Sequence, residues 1–347
     1  MKLEHEEVRV HTKHAFTISR GSESEVRVVT VRVTDADGAQ GWGEAAPSKF
    51  YGETADTIPA ALAMFAPVLE RADAWALEDI EAELNRVVRW NAAAKAAVSA
   101  ALHDLVGKRL GVPVYRLLGL NPARAPLSSF TIAIAGADEL RRKVREAASY
   151  PVLKIKLGSD HDEEILRIIR EEAPNATVRV DANAAWTPKH TLRMMDCLVA
   201  HRVEFVEQPL PPHELEGLRF VRERSPLPII ADESCLVAAD VARLAGIVDG
   251  INIKLAKCGG LREAVKMAAT ARAHGMLVMM GCMIESSLAI TAAAHLAPLL
   301  DYADLDGAAL LSDDPYVGAT IDGGVITLPE GPGLGVTRVT RGLVSSA

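Results

Sequence analysis

The chain has few aromatic residues, few cysteines and no long apolar run, and each shortage narrows what it can be. Phe, Trp and Tyr make up 4% of the 347 residues, so any core must be aliphatic, built from Ala, Val, Leu and Ile. The four cysteines, Cys197, Cys235, Cys258 and Cys282, are scattered without a CxxC pair. That pattern suits buried free thiols in a reducing compartment better than disulfides or a zinc site. Apolar runs such as Met276 to Met280 fall far short of the roughly 20 residues that span a bilayer. The first ten residues, MKLEHEEVRV, are charged where a signal peptide needs an apolar stretch. Basic runs are lacking too, and the net charge is −8, from 38 basic against 46 acidic residues. The expectation is a cytoplasmic protein with neither nucleic acid nor membrane as partner. Oligomeric state is left open, a homo-oligomer included.

What is present is a globular profile, 49% hydrophobic and 24% charged, on a chain too long for one ordinary small domain. Residues 1–122 mix structures. Val26 to Val33 alternates valine with polar residues as a half-buried strand does. The turn Asp35 to Gly38 and the resumption at Gln40 to Glu44 make it a hairpin. From Ala55 to Arg109 the Ala/Leu spacing is helical, ending at Gly111-Val112-Pro113. This reads as an α+β domain.

Over residues 123–315 short β-branched runs alternate with helical stretches. With Thr131, Lys156, Asp181, Glu207, Asp232, Lys254, Met280 and Asp304 as markers, the intervals are 25, 25, 26, 25, 22, 26 and 24 residues. Eight strand-helix units of this length imply a parallel sheet closed into a (β/α)8-type barrel. An open doubly wound sheet is the rival, but the GxGxxG turn it usually carries is missing. The Gly-rich tail, residues 316–347, is expected to leave the barrel and complete the amino-terminal α+β capping domain.

In such a barrel, polar residues at the carboxyl ends of strands carry the chemistry. The third, fourth and fifth strands end in Asp181, Glu207 and Asp232. A lone Asp there is commonly a helix cap. Three in register would repel one another unless a divalent cation cancels their charge, and an all-oxygen set favours Mg2+. The second strand carries Lys154 and Lys156, and the sixth ends in Lys254, in apolar contexts where a structural lysine is costly. A salt bridge to the neighbouring acids is the plain alternative for Lys154. Since Lys154 and Lys156 alternate onto one side, their repulsion is expected to lower a lysine pKa towards that of a general base. Lys257 has a weaker claim, lying in the loop beyond. Strands two and six stand on opposite walls of a ring of eight. A metal-bound substrate carboxylate would hold its α-carbon between two amines, one taking a proton and the other returning it. The reaction class is 1,1-proton transfer, with the metal stabilising an enediolate. Asp304 and Asp306 on the eighth strand form, as a pair, a site for a substrate ammonium; each alone would read as a loop turn. Arg20 could bind a second carboxylate, or be a solvated surface residue.

Lys154-Ile-Lys156, Asp181-Ala-Asn183, Glu207-Gln208-Pro209, Asp232-Glu233-Ser234 and Ile253-Lys254-Leu-Ala-Lys257 with Gly259-Gly260 form an ordered set. In it the chain resembles the muconate-lactonizing subgroup of the enolase superfamily, over essentially its full length. The resemblance implies Asp181, Glu207 and Asp232 as Mg2+ ligands, Lys156 and Lys254 as acid/base catalysts, and Lys154 near the substrate carboxylate. On Asp304-Leu-Asp306, Phe16 to Ser22 and Tyr51-Gly52-Glu53 it is similar to dipeptide epimerases. That implies a small dipeptide substrate, an Ala-Glu dipeptide of murein recycling, with Arg20 on the glutamate side chain. Tyr51, Met283 and Ile284 join the implied substrate contacts. A different dipeptide preference, N-acylamino-acid racemisation, o-succinylbenzoate synthesis, cycloisomerisation and a non-catalytic carboxylate-binding role are the alternatives.

Overall fold

A computed structural model describes residues 1–339; the last part of the expected tail, residues 340–347, lies outside them. Three antiparallel strands open the chain: β1 (Lys2–Ile18), β2 (Gly21–Thr34) and β3 (Gln40–Ala45), in spatial order β1-β2-β3. Asp35 to Ala39 make the β2–β3 turn, with Gly38 in the left-handed region. Valines 29, 31 and 33 of β2 alternate onto one fully buried face. Against that face pack α1 (Thr57–Arg71), α2 (Leu77–Val87) and α3 (Ala92–Leu110). Aliphatic close packing replaces aromatic bulk here. A Cβ at Gly43 would lie 2.0 Å from the Ala97 carbonyl oxygen, so α3 rests directly on strand backbone.

The second unit is one eight-stranded parallel sheet. Its strands are β4 (Phe130–Ile132), β5 (Val152–Lys156), β6 (Thr177–Asp181), β7 (Val203–Glu207), β8 (Ile229–Ala231), β9 (Gly250–Ile253), β10 (Leu277–Gly281) and β11 (Tyr302–Asp304). Each pairs with the next in chain order. The ring closes where the Ser129 amide donates to the Ala303 carbonyl at 2.9 Å. The outward faces carry Val, Ile and Leu and meet the surrounding helices in one continuous core. Inside, period-two alternation stacks a residue two positions below each of Glu207, Asp232, Gly281 and Asp304. Phe205, Ile230 and Met279, with Tyr302, therefore plug the barrel under the site. The Arg179 guanidinium joins this plug, 4.7 Å from the Tyr302 ring centre and 2.8 Å from Glu204.

One expectation needs correcting: the eighth unit has no α-helix among the described residues. After β11 the chain makes a 3-10 turn, Gly307–Leu310, and leaves. The sequence beyond, Ser312-Asp313-Asp314-Pro315, lacks the apolar spacing a helix needs. The tail then divides its contacts. Tyr316 reaches the Thr30 hydroxyl of β2 at 3.1 Å, and Arg338 pairs with Glu6 of β1 at 2.8 Å. The hairpin Thr320–Thr327 lies instead near the amino-terminal end of the barrel, where Gly324 accepts from the Ser128 amide at 2.8 Å.

Candidate active site

The eight strand ends converge on a buried charged cluster. One carboxylate oxygen from each of Asp181, Glu207 and Asp232 lies within 4.8 Å of the other two. All three side chains are essentially inaccessible to water. Two ammonium groups flank them from strands four apart in the ring. Lys156, the last residue of β5, donates to Asp181 Oδ2 at 2.7 Å; Lys254, just past β9, donates to Asp232 Oδ2 at 2.9 Å. Lys154, one inward position below Lys156, is enclosed by carboxylates: Glu207 at 2.7 Å, Asp304 at 2.8 Å and Asp181 at 3.3 Å.

That enclosure reverses the electrostatics expected at Lys154. Burial works against the charge of Lys154, yet Asp304, Glu207 and Asp181 outweigh it and hold the ammonium well above its ordinary pKa. Lys254 is likewise raised, with Asp232 overcoming burial. Carboxylates at contact distance dominate the mutual repulsion of two lysines. The acids respond in kind. Against burial, Lys156 and Lys154 bring Asp181 down to about 2. Lys254 and Lys257 likewise depress Asp232. Glu207, buried and facing Asp181, is pushed up to about 7.

The donor set fits a hard divalent cation. It is all oxygen, fully buried and convergent. Glu207 Oε2 accepts no hydrogen bond, although the Lys154 ammonium lies close, and Asn183 Oδ1 and Asn252 Oδ1 beside the acids are also buried without a donor. Backbone geometry at the strand ends matches a functional cluster: Asn183 and Gln208 both have positive φ, at 45° and 33°, which non-glycine residues rarely adopt.

Several further residues orient these groups through contacts that no local pattern gives. Asn252 donates to Glu207 Oε1 at 2.8 Å. Lys257 lies fully buried on the short helix Leu255–Cys258. It touches Asp232 Oδ1 and donates to three carbonyls, Asp232 at 2.7 Å, Asn252 at 2.9 Å and Cys235 at 3.2 Å. It is thus a clamp on Asp232. Gln208 accepts from the Asp232 amide at 2.9 Å. Alternation from Lys254 points to Asn252, but nothing local points to its partner.

Asp304 and Asp306 are both buried at the mouth of the eighth strand. Asp304 accepts from Lys154 and from Ser129 Oγ at 2.6 Å, and Lys154 holds it below its usual range despite burial. Asp306 accepts from the Thr131 amide at 2.6 Å; burial and the Asp304 charge push it up to about 7. Two loops of the capping unit reach over the site. Arg20, at the β1–β2 turn, donates to the Asn183 carbonyl at 2.6 Å and pairs with buried Glu233 at 2.9 Å. Its guanidinium stacks 4.4 Å from the Phe50 ring centre. Arg20 is exposed at the surface, but its charge already has a partner. Tyr51 follows Phe50, and burial next to Asp232 and Glu233 raises its hydroxyl pKa. Met283 and Ile284, past β10, are half-buried, and Met283 packs on the capping core.

Comparison with known proteins agrees with this architecture. The enolase C-terminal domain-like family matches residues 137–339, and the mandelate racemase / muconate lactonizing enzyme N-terminal domain matches residues 3–119. An L-Ala-D/L-Glu epimerase of Bacteroides thetaiotaomicron is 40% identical over 98% of this chain and 88% of its own length. An L-Ala-D/L-amino acid epimerase of Pedosphaera parvula is also 40% identical, over 92% of this chain and 93% of its own. The crystal structure of a dipeptide epimerase from Enterococcus faecalis V583, complexed with Mg and L-Leu-L-Tyr, superposes with a TM-score of 0.93. It is 33% identical, across 97% of this chain and 99% of that one. The ordered strand-end residues, the two-part fold and these full-length matches lead to one assignment: the chain belongs to the enolase superfamily, in its mandelate racemase / muconate lactonizing branch.

Proposed function

We propose that the protein is a Mg2+-dependent dipeptide epimerase that inverts the α-carbon of the C-terminal residue, with L-Ala-D/L-Glu as substrate. The observation that carries the reading is the buried acid triad with one lysine on each side, from strands on opposite walls. Asp181, Glu207 and Asp232 would hold the ion. Mg2+, when bound, supplies Lewis-acid stabilisation of the charge that proton loss throws onto the substrate carboxylate. Lys156 and Lys254 take the proton from one face and return one on the other, each serving one stereoisomer as base. Lys154 keeps positive charge beside the carboxylate end of the substrate. Asp304 and Asp306 receive the free ammonium; with Asp304 already bonded to Lys154, Asp306 carries the larger share. Arg20 exchanges Glu233 for the side-chain carboxylate of the dipeptide, and Tyr51, Met283 and Ile284 wall the pocket. The relatives' range of dipeptides supports the chemistry more strongly than the glutamate preference.

The reading divides the chain into a capping domain (1–122), a catalytic barrel (123–315) and a tail (316–347), of which Tyr316 and Arg338 reach the cap. Four free cysteines suit a reducing cytoplasmic setting, and no helix among the described residues is long and apolar enough to cross a membrane. Incubation with L-Ala-L-Glu and Mg2+ in D2O, followed by proton NMR, tests the proposal. Loss of the Glu α-proton signal with appearance of L-Ala-D-Glu is expected. A chain that exchanges no dipeptide α-proton refutes the epimerase reading; exchange confined to other dipeptides refutes the glutamate preference alone.

A further inference from the structure

Gly281 ends β10 beside the site, and its backbone gives no reason for glycine, since its φ lies outside the left-handed region. The reason is space. A Cβ placed there would lie 2.8 Å from Asn252 Nδ2, 3.0 Å from Asn252 Oδ1 and 3.2 Å from Lys254 Cε. The three nearest atoms thus all belong to two side chains, and both matter to the site. Asn252 holds Glu207 Oε1 at 2.8 Å, and the Lys254 stem carries the ammonium bonded to Asp232. Both are buried, at 0% and 7% exposure, so neither can swing out into water to yield.

We propose that Gly281 is a positioning residue: the missing side chain fixes where the Lys254 amine sits. The inference rests on the two-lysine reading of the reaction. It makes a prediction that a general packing role does not, because Gly281 adjoins only one of the two lysines. A methyl group there displaces the ends of flexible side chains, not backbone, so the fold persists while the reacting amine shifts by a few tenths of an ångström. Misplacement on the ångström scale can cost about a hundredfold in rate. Proton abstraction by Lys254 is therefore expected to slow at least about tenfold.

The experiment measures α-proton exchange in D2O from L-Ala-L-Glu and L-Ala-D-Glu separately, with Mg2+. Lys156→Ala and Lys254→Ala first identify which isomer each amine serves. Gly281→Ala is then expected to lose exchange selectively from the Lys254 isomer and to keep most exchange from the other. The double variant Gly281→Ala with Asn252→Ala removes the two tightest contacts but keeps the one to Lys254; both isomers slow because Glu207 loses its donor, and the asymmetry between them is expected to persist. Equal loss from both isomers, or no loss, with circular dichroism unchanged, overturns the positioning role while leaving the two-lysine reading intact. If the lysine variants themselves show no one-sided exchange, that reading fails and the inference with it. Failure of both Gly281 variants to fold would also overturn it, because the yielding atoms would then not be these two side chains.

Discussion

Glu44 of β3 joins the capping sheet to the barrel, and its replacement by glutamine gives a sharp test of how buried charge shapes this protein. Its Oε1 accepts from the Ser286 amide at 2.9 Å and its Oε2 touches the Ser286 hydroxyl, at the start of the helix Ser287–Ala294. Burial dominates those two bonds and pushes the carboxyl from 4.5 up to about 8. A raised folded pKa means the native state holds a proton that the unfolded chain has released. Stability from this group is complete below pH 4.5 and is lost as pH rises through 8. Between pH 5.5 and 7.5 these two values give a loss of about 2–3 kcal/mol. With an unfolding entropy of about 2 cal/mol/K per residue, a chain of this length loses about 3–4 °C of melting temperature. Glu44→Gln keeps both contacts, its carbonyl accepting from the Ser286 amide and its amide donating to the hydroxyl, but it cannot ionise. Urea unfolding midpoints of both proteins at half-unit steps of pH give a difference curve in which other buried acids cancel. The variant should gain on the wild type steadily from pH 5.5 to 7.5. Parallel curves would show that Glu44 is already ionised in that range, and the argument from burial would fail. The consequence reaches the site, since Ser286 terminates the loop carrying Met283 and Ile284.

Further outcomes follow from the same geometry. Lys156→Ala and Lys254→Ala should each reduce epimerisation by at least about a hundredfold, each retaining deuterium exchange from a single, opposite stereoisomer by NMR. Asp306→Asn removes the carboxylate least committed to other groups and should lower kcat/KM for a free dipeptide about tenfold or more. An N-acetylated dipeptide, having no ammonium, should lose nothing, and an equal loss would place Asp306 outside the ammonium site. Lys257→Met strips Asp232 of its buried clamp and should cost about 3–5 kcal/mol in urea unfolding, with weaker Mg2+ binding by calorimetry. Unchanged Mg2+ affinity would separate the clamp from the metal site.

How much of this was legible in the sequence follows from where the signals lie. A barrel strand buried on its outer face must be β-branched and short, so FTIAI, TVRVD and their fellows stand out, and their ends name the site residues at once. β1 left no such mark. As an edge strand of its sheet, with most of its residues half-exposed or exposed, it alternates too weakly to be seen among its charges. Strand spacing alone implies an eighth helix, whereas the apolar periodicity a helix needs stops at β11, and the chain makes a 3-10 turn there instead. The lysine electrostatics were misjudged for a different reason. Lys154 and Lys156 are neighbours in sequence, so their repulsion is visible there, whereas the acids that overrule it arrive from three other strands.

That contrast explains the general division. A barrel places each reacting group at a strand end, a position fixed by local pattern, and so the reacting groups announce themselves. The groups that orient them act across strands: Asn252 reaches Glu207 over 45 residues, Ser129 reaches Asp304 over 175, and Arg20 reaches Asn183 over 163. No periodicity within a strand encodes such a pairing, because the ring closure that creates it is a property of the whole sheet. The chemistry of this protein was therefore readable from residue types in order. Its tuning, which charge is paired and which amine is free to move, exists only once the ring has closed. The Arg20 contact belongs to that second class, since its partner Glu233 comes from a barrel strand end far along the chain.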